Sequence, residues 1–289
     1  MPVIRTASDL LTWYRIDDFT DPWADAPWIV LMHGVAETSD AWFAWIPHLA
    51  RRYRVLRFDI RGFGQSSPMP RDYDWPFERI GDDLLSLTSQ LQIERFHLVS
   101  AKVGGTMALH FASRRPKALR SLSVLGTPVV TASATEAGYS PDEIDRHGVG
   151  HWARRTMGNR LGTALPPEAH EWWAKMMETT PASTQAGFLR VLPQIDVRPL
   201  LPQIACPTLV VITGDPNNPA QNLTGVASTI AWQSTIAKSE LLVIPNDSFH
   251  VAATAPDRAA EAVLNFIDRH EPAMSTSKTI ASAERTSHV

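Results

Sequence analysis

The sequence predicts an α/β protein: a mostly parallel sheet of strands alternating with helices, interrupted by a helical insertion near mid-chain. Three observations carry this. Short apolar runs alternate with stretches of helical spacing over residues 28–125. The alternation stops between 127 and 200 and resumes after Pro207. The 289 residues, 44% hydrophobic and 20% charged, have the composition of an ordinary globular chain large enough for one sizeable core.

Taken in order, Trp28-Ile-Val-Leu-Met32 is a short apolar strand that ends at His33-Gly34. A polar loop follows, with Asp40 placed to cap a helix over 41–51. A strand over 53–59 runs into the turn Arg61-Gly-Phe-Gly-Gln-Ser66. Ile80, Leu84, Leu87 and Leu91 mark one face of a helix over 77–91. Next come a strand over 95–100, a glycine-bearing turn, a helix over 105–113 and a strand over 121–125. Strands separated by helices imply right-handed crossovers and hence parallel pairing. Residues 127–200 hold Trp152, Trp172, Trp173, Met157, Met176 and Met177 in helical rather than strand patterning. A strand over 208–213, a helix over 224–238, a strand over 241–244 and a helix over 252–270 complete the folded part. The expected organisation is a core of 1–126 plus 201–270, a cap of 127–200 and a disordered tail of 271–289 that lacks apolar periodicity.

Thirty acidic against 27 basic residues give a net charge of −3, and no Lys/Arg cluster offers a nucleic-acid footprint. The one cysteine, Cys206, permits no internal disulfide, fits a reducing compartment and reads as buried and inert. The N-terminal segment has no apolar signal region, and no run of about 18 apolar residues occurs. The histidines show no metal-ligand spacing. These features lead us to expect a cytoplasmic monomer or homodimer with a small-molecule substrate, no membrane, no nucleic acid, no metal and no cofactor.

Three loops follow strand ends at the carboxyl edge of the sheet, where open α/β folds bind ligands. They are His33-Gly34-Val35, the turn after Val99, and Asn246-Asp-Ser-Phe-His250. With LMHG at 31–34, FDIRGFGQS at 58–66, LVSAKVGGTMALHFA at 98–112, PTLVVITGD at 207–215 and IPNDSFHVAATAPDRAAEAVLNFI at 244–267, the chain resembles the α/β-hydrolase superfamily over roughly residues 10–270. The resemblance implies that family's α/β-hydrolase fold, a mostly parallel eight-stranded-type sheet with helices on both faces and the insertion as a helical lid, together with a His250 acid/base and oxyanion-hole amides at Val35 and Val103. Its G-x-S-x-G elbow reads Ser100-Ala101-Lys102-Val103-Gly104 here, so lysine stands at the nucleophile position. The acid position of its G-x-x-D pattern holds Asn217, with Asp215 two residues early as a possible substitute.

Lysine at a helix start meets the positive end of the helix dipole, and burial under a lid lowers its pKa further. Neutral Asn217 does nothing to oppose that, so an uncharged amine is expected at Lys102. Such an amine can form an imine with a ketone or aldehyde, or act non-covalently as a base or as a donor to a carboxylate or enolate, with His250 moving protons. The expected function is catalysis on a small carbonyl compound by C–C cleavage or hydrolysis. The alternatives are an ester or lactone hydrolase with an atypical site, and a ligand-binding relative without turnover. Ser100 should point into the sheet and act as a packing residue. His33 reads as a brace for its loop, Gly34 and Glu37 as pocket candidates, Arg61 as structural, and Asp247 as a cap of the last turn. Trp152, Trp172 and Trp173 are candidates for an apolar pocket wall.

Overall fold

The computed structural model describes residues 2–115, 117–131, 140–214 and 225–271. Eight strands form one sheet: β1 (Val3–Ala7), β2 (Leu10–Asp17), β3 (Trp28–Met32), β4 (Arg54–Phe58), β5 (Phe96–Ala101), β6 (Leu119–Leu125), β7 (Thr208–Thr213) and β8 (Ser239–Ile244). Their order is β1-β2-β4-β3-β5-β6-β7-β8. The pairs β1/β2 and β2/β4 are antiparallel and every other pair is parallel. The sequence reading found six of these strands. It missed β1 and β2, whose mixed polar and apolar residues suit an edge hairpin rather than a buried run.

Alternation along the central strands divides the core. Val30, Met32, Leu56, Phe58, Leu98 and Val210 face one layer of helices. Ile29, Leu31, Val55, Val99, Leu209 and Val211 face the other. Strands buried on both sides therefore read as unbroken apolar runs, which is why they were legible. The first layer contains α2 (Phe77–Gln90) and α3 (Lys102–Arg114). The second contains α1 (Ile46–Leu49), a preceding 3₁₀ turn at Ser39–Trp45, and α9 (Pro256–His270).

Two expected helices differ in detail. In place of one helix over 41–51, the chain makes the 3₁₀ turn followed by α1, and the cap is Thr38, whose side chain accepts from Asp40 N. Asp40 instead meets Arg57. The last helix is two pieces, α8 (Val251–Thr254) and α9, separated at Ala255 because Pro256 cannot continue the helix ahead of it. Between β6 and β7 lie α4 (Pro141–Leu161), α5 (Pro167–Glu178) and α6 (Ala182–Val191), with α7 (Val226–Gln233) following β7. These three inserted helices pack on one another and bury Trp152, Met157, Trp173, Met176 and Met177 in the same core as α2 and α3. Asp215, Asn217 and the expected tail from 272 onward lie outside the described residues.

Candidate active site

Lys102 is the first residue of α3, directly after the extended Ala101. Its φ is +54°, a left-handed conformation that costs a non-glycine residue on the order of 1–3 kcal/mol. The turn closes tightly over the neighbouring loop: a Cβ at Gly104 would lie 2.1 Å from the His33 carbonyl oxygen. Only glycine lets α3 approach β3 that closely, and this holds Lys102 at the carboxyl edge of the sheet.

Lys102 is 5% exposed, Glu37 1% and His250 2%. Lys102 Nζ donates to Glu37 Oε1 at 2.5 Å. His250 Nε2 lies 2.9 Å from the same oxygen, with the ring turned so that the contact is close but off-line. The second carboxylate oxygen, Oε2, accepts from Gly34 N at 2.8 Å. One carboxylate thus gathers an ammonium, an imidazole and a backbone amide from three separate elements. His250 Nδ1 has no hydrogen-bond partner among the described residues.

Charge follows from this arrangement. Burial brings Lys102 down to about 8, with Arg160 adding to the fall and Glu37 opposing it. Burial alone would raise Glu37, but Lys102 and His250 together hold its carboxyl well below the usual range. Burial also lowers His250, against the pull of Glu37. At neutral pH the cluster is an ammonium, a carboxylate and a neutral imidazole. The expectation that no carboxylate would oppose a neutral lysine is therefore corrected: Glu37, on the loop after β3, faces the amine.

Other elements fix the pieces. Ile60 N donates to His33 Nε2 at 2.9 Å, so His33 Nδ1 carries the proton and donates to Gly34 O at 2.7 Å. His33 thereby braces the loop that carries Gly34, Val35 and Glu37. Val103 N–H belongs to the first turn of α3, where amides lack an intrahelical acceptor. His250 N donates to Arg160 O at 3.2 Å, tying its loop to α4. Asp247 accepts from both the amide and the hydroxyl of Thr163, so it fastens the end of α4 rather than capping the last turn. Ser100 is fully buried and its Oγ donates to Met32 O at 2.9 Å, inside the sheet.

The three tryptophans part company. Trp173 packs on His250, ring centres 4.9 Å apart. Trp152 is buried beneath the Arg160 guanidinium, 4.7 Å from its ring. Trp172 is 41% exposed and lies against Phe43, away from the Lys102 amine, which corrects its expected place on an inner wall. Sequence reading missed Arg160, a buried cation whose field reaches both Lys102 and His250. An arginine in a helical stretch ordinarily reads as exposed, and no local signal marks this one. Phe249, 5.9 Å from Lys102 Nζ, was also passed over. Among the described residues no group of three or more His, Cys, Asp or Glu could hold a metal, and no helix is long and apolar enough to cross a membrane.

A parallel sheet with helices on both faces, an elbow at the start of α3 and a histidine loop after the last strand define a class. The description "alpha/beta hydrolase fold" matches residues 27–179, and the chain belongs to that family. Among curated relatives it is similar to the 3-oxoadipate enol-lactonase 1 of Acinetobacter baylyi, 25% identical over 192 residues, 65% of this chain and 70% of that protein. It is also similar to the (E)-2-((N-methylformamido)methylene)succinate hydrolase of the same organism, 25% identical over 253 residues, 83% of this chain and 90% of that one. The solved enol-lactonase of Burkholderia xenovorans LB400 superimposes with a TM-score of 0.81 at 20% identity, covering 92% of this chain and 100% of that chain, a likeness of fold.

Proposed function

We propose that this chain is an enzyme acting on a small carbonyl compound, in which Lys102 serves as a charged donor and His250 as the proton carrier. The observation that carries the reading is the carboxylate oxygen of Glu37 held between Lys102 Nζ and His250 Nε2, at 2.5 and 2.9 Å. A carboxylate at that distance favours ammonium over amine, which works against imine formation and in favour of electrostatic catalysis. Lys102 stands where the family's nucleophile would stand, and Ser100 is no substitute, since its hydroxyl is committed to Met32 O inside the sheet.

In this reading the substrate carbonyl oxygen gains charge beside Lys102 Nζ and the amides of Val35 and Val103. Neutral His250 accepts a proton from water as the water oxygen bonds to the carbonyl carbon. The tetrahedral oxyanion then collapses, the bond to the leaving group breaks, and that group takes the proton back from His250. A leaving carbon makes this a C–C hydrolysis; a leaving oxygen or nitrogen makes it an ester, lactone or amide hydrolysis. The names of the relatives support hydrolysis of small molecules. The helices between β6 and β7 act as the lid, with Trp173 as the wall beside His250.

A second reading, imine formation at Lys102, draws support from the lowering of its pKa to about 8. The test is turnover of a panel of lactones, esters, amides and β-diketones by wild type and Lys102→Met, with borohydride trapping and intact-mass measurement alongside. We expect loss of at least about 10²-fold in kcat for Lys102→Met, the scale of one oxyanion donor, and no borohydride-fixed adduct in wild type. A substrate-dependent mass gain on Lys102 establishes the imine instead. Full activity in Lys102→Met rejects both readings, and a folded wild type that binds panel members without turning any over makes the chain a binding protein.

A further inference from the structure

The end of α4 is fastened to the loop that carries His250. Gly162, directly after α4, has a φ of +60°, and a Cβ there would lie 2.1 Å from Asp247 Oδ1. Glycine is thus required twice at this position, for its left-handed backbone and for the closeness of the carboxylate. One residue on, Thr163 donates to the same carboxylate. Its amide lies 3.1 Å from Oδ1 and 2.9 Å from Oδ2, and its hydroxyl 2.8 Å from Oδ2. Thr163 is exposed, but a carboxylate accepts more strongly than a neutral oxygen, so the tie holds against water.

The same stretch of the insertion holds His250. Two residues before Gly162, the carbonyl oxygen of Arg160 accepts from His250 N at 3.2 Å. Trp173 of α5, which packs on α4, sets its ring 4.9 Å from the imidazole. His250 therefore takes both a backbone acceptor and a ring contact from the insertion. The core holds the two residues in between: the Thr213 hydroxyl donates to Ser248 O, and Phe249 O stands 2.2 Å from where a Cβ of Gly126 would be. At the imidazole, neither nitrogen has an in-line hydrogen bond among the described residues, since the Glu37 contact is off-line. Such a ring takes its direction from its backbone and its packing, and proton transfer depends steeply on that direction.

We infer that Asp247 and Thr163 are positioning residues for His250: by docking the end of α4 on the histidine loop, they fix where the Arg160 carbonyl and the Trp173 ring stand, and these two aim the imidazole. The pair acts through α4 and α5 rather than at the reacting atoms. The inference rests on the reading of His250 as the proton carrier and adds a condition to it. The base is aimed only while the insertion is docked on its loop, so the inserted helices govern proton transfer as well as forming a wall.

The experiment compares wild type, Asp247→Ala and Asp247→Asn on the lactone, ester, amide or β-diketone that wild type turns over fastest. We expect Asp247→Ala to lower kcat by about tenfold to 10²-fold and to change KM by less than about threefold, the pattern of lost alignment rather than lost binding. The rising limb of its pH profile should move up toward the ordinary 6.5, as the loosened ring gains water. Asparagine keeps an acceptor for the Thr163 amide and supplies a donor to its hydroxyl, so Asp247→Asn should stay within about fivefold of wild type in kcat. Ring resonances in NMR follow His250 without substrate, and decide the matter alone if no panel member is turned over. They should shift in Asp247→Ala, while those of His97, bonded to Ser121 near the start of β5, stay in place. A folded Asp247→Ala with wild-type kcat, a loss confined to KM, unmoved His250 resonances, or an Asp247→Asn as impaired as Asp247→Ala each overturns the inference. If Asp247→Ala does not fold, Thr163→Val, which removes only the hydroxyl donor, takes the same readings, with Thr163→Ser as its rescue. Undiminished turnover by His250→Gln refutes the proton-carrier reading whatever Asp247 does; an inactive His250→Gln beside a fully active Asp247→Ala refutes the positioning alone.

Discussion

At Lys102 two effects oppose each other: burial withdraws the proton and Glu37 retains it, leaving a value of about 8. The sign of the pH dependence follows. A charged donor is present below that value and is lost as pH rises through it. His250 works as a neutral base, and since its pKa lies below the ordinary 6.5, activity rises as pH climbs through that lowered value. The profile of kcat/KM should therefore be a bell, with its falling limb near pH 8. An imine-forming amine predicts a rising limb at that pH, so one measurement separates the two. At this scale sequence supplied Lys102, His250 and Glu37 as candidates, because all three adjoin strand-end motifs. It could not supply their pairing: Glu37 and Lys102 are 65 positions apart, and only the fold sets their distance.

Among the elements, the α3 elbow and the inserted helices position the site, and each yields a test. Gly104→Ala would press a methyl group onto the His33 backbone carbonyl at 2.1 Å, and neither the helix that carries the methyl nor the loop that carries the carbonyl can give easily. We expect a loss of about 1–3 kcal/mol or more, read as a lowered Tm, together with reduced activity as Lys102 shifts against Glu37. In the insertion, Trp172→Ala should leave stability within about 0.5 kcal/mol, since that ring is largely exposed. Trp173→Ala should lose about 3–5 kcal/mol in denaturant unfolding and raise KM in whatever protein remains folded, because the ring is buried against His250. Two adjacent tryptophans look alike in sequence. Helical rotation of about 100° per residue turns one toward the core and the other toward Phe43 and solvent. The missed hairpin of β1 and β2 has a similar origin: an edge strand exposes one face, so its residues lack the apolar run that marks a central strand.

Across the whole molecule, long-range polar ties join what the crossovers bring together. Arg61, in the turn after β4, donates through Nε and Nη2 to both oxygens of Asp83 on α2 at 2.7 and 2.8 Å, and its side chain is fully buried. Asp83→Asn should leave that guanidinium short of a carboxylate at a loss of about 3 kcal/mol, the lower end for a broken buried pair, because Asp9 keeps one contact. The midpoint of urea unfolding checks this, and activity at saturating substrate should change little.

By itself the sequence determined the parallel sheet, the break between β6 and β7, and the two loops that carry Lys102 and His250. Those features are written in local hydrophobic period and in short turn motifs, which need no partner to be read. Tertiary structure alone decided the electrostatics. It placed Glu37 against the lysine and brought Arg160 from α4 within range of it. It turned Trp173 inward and Trp172 outward. Charge state depends on burial and on distances of a few ångströms between residues far apart in the chain, and neither quantity exists until the chain has folded.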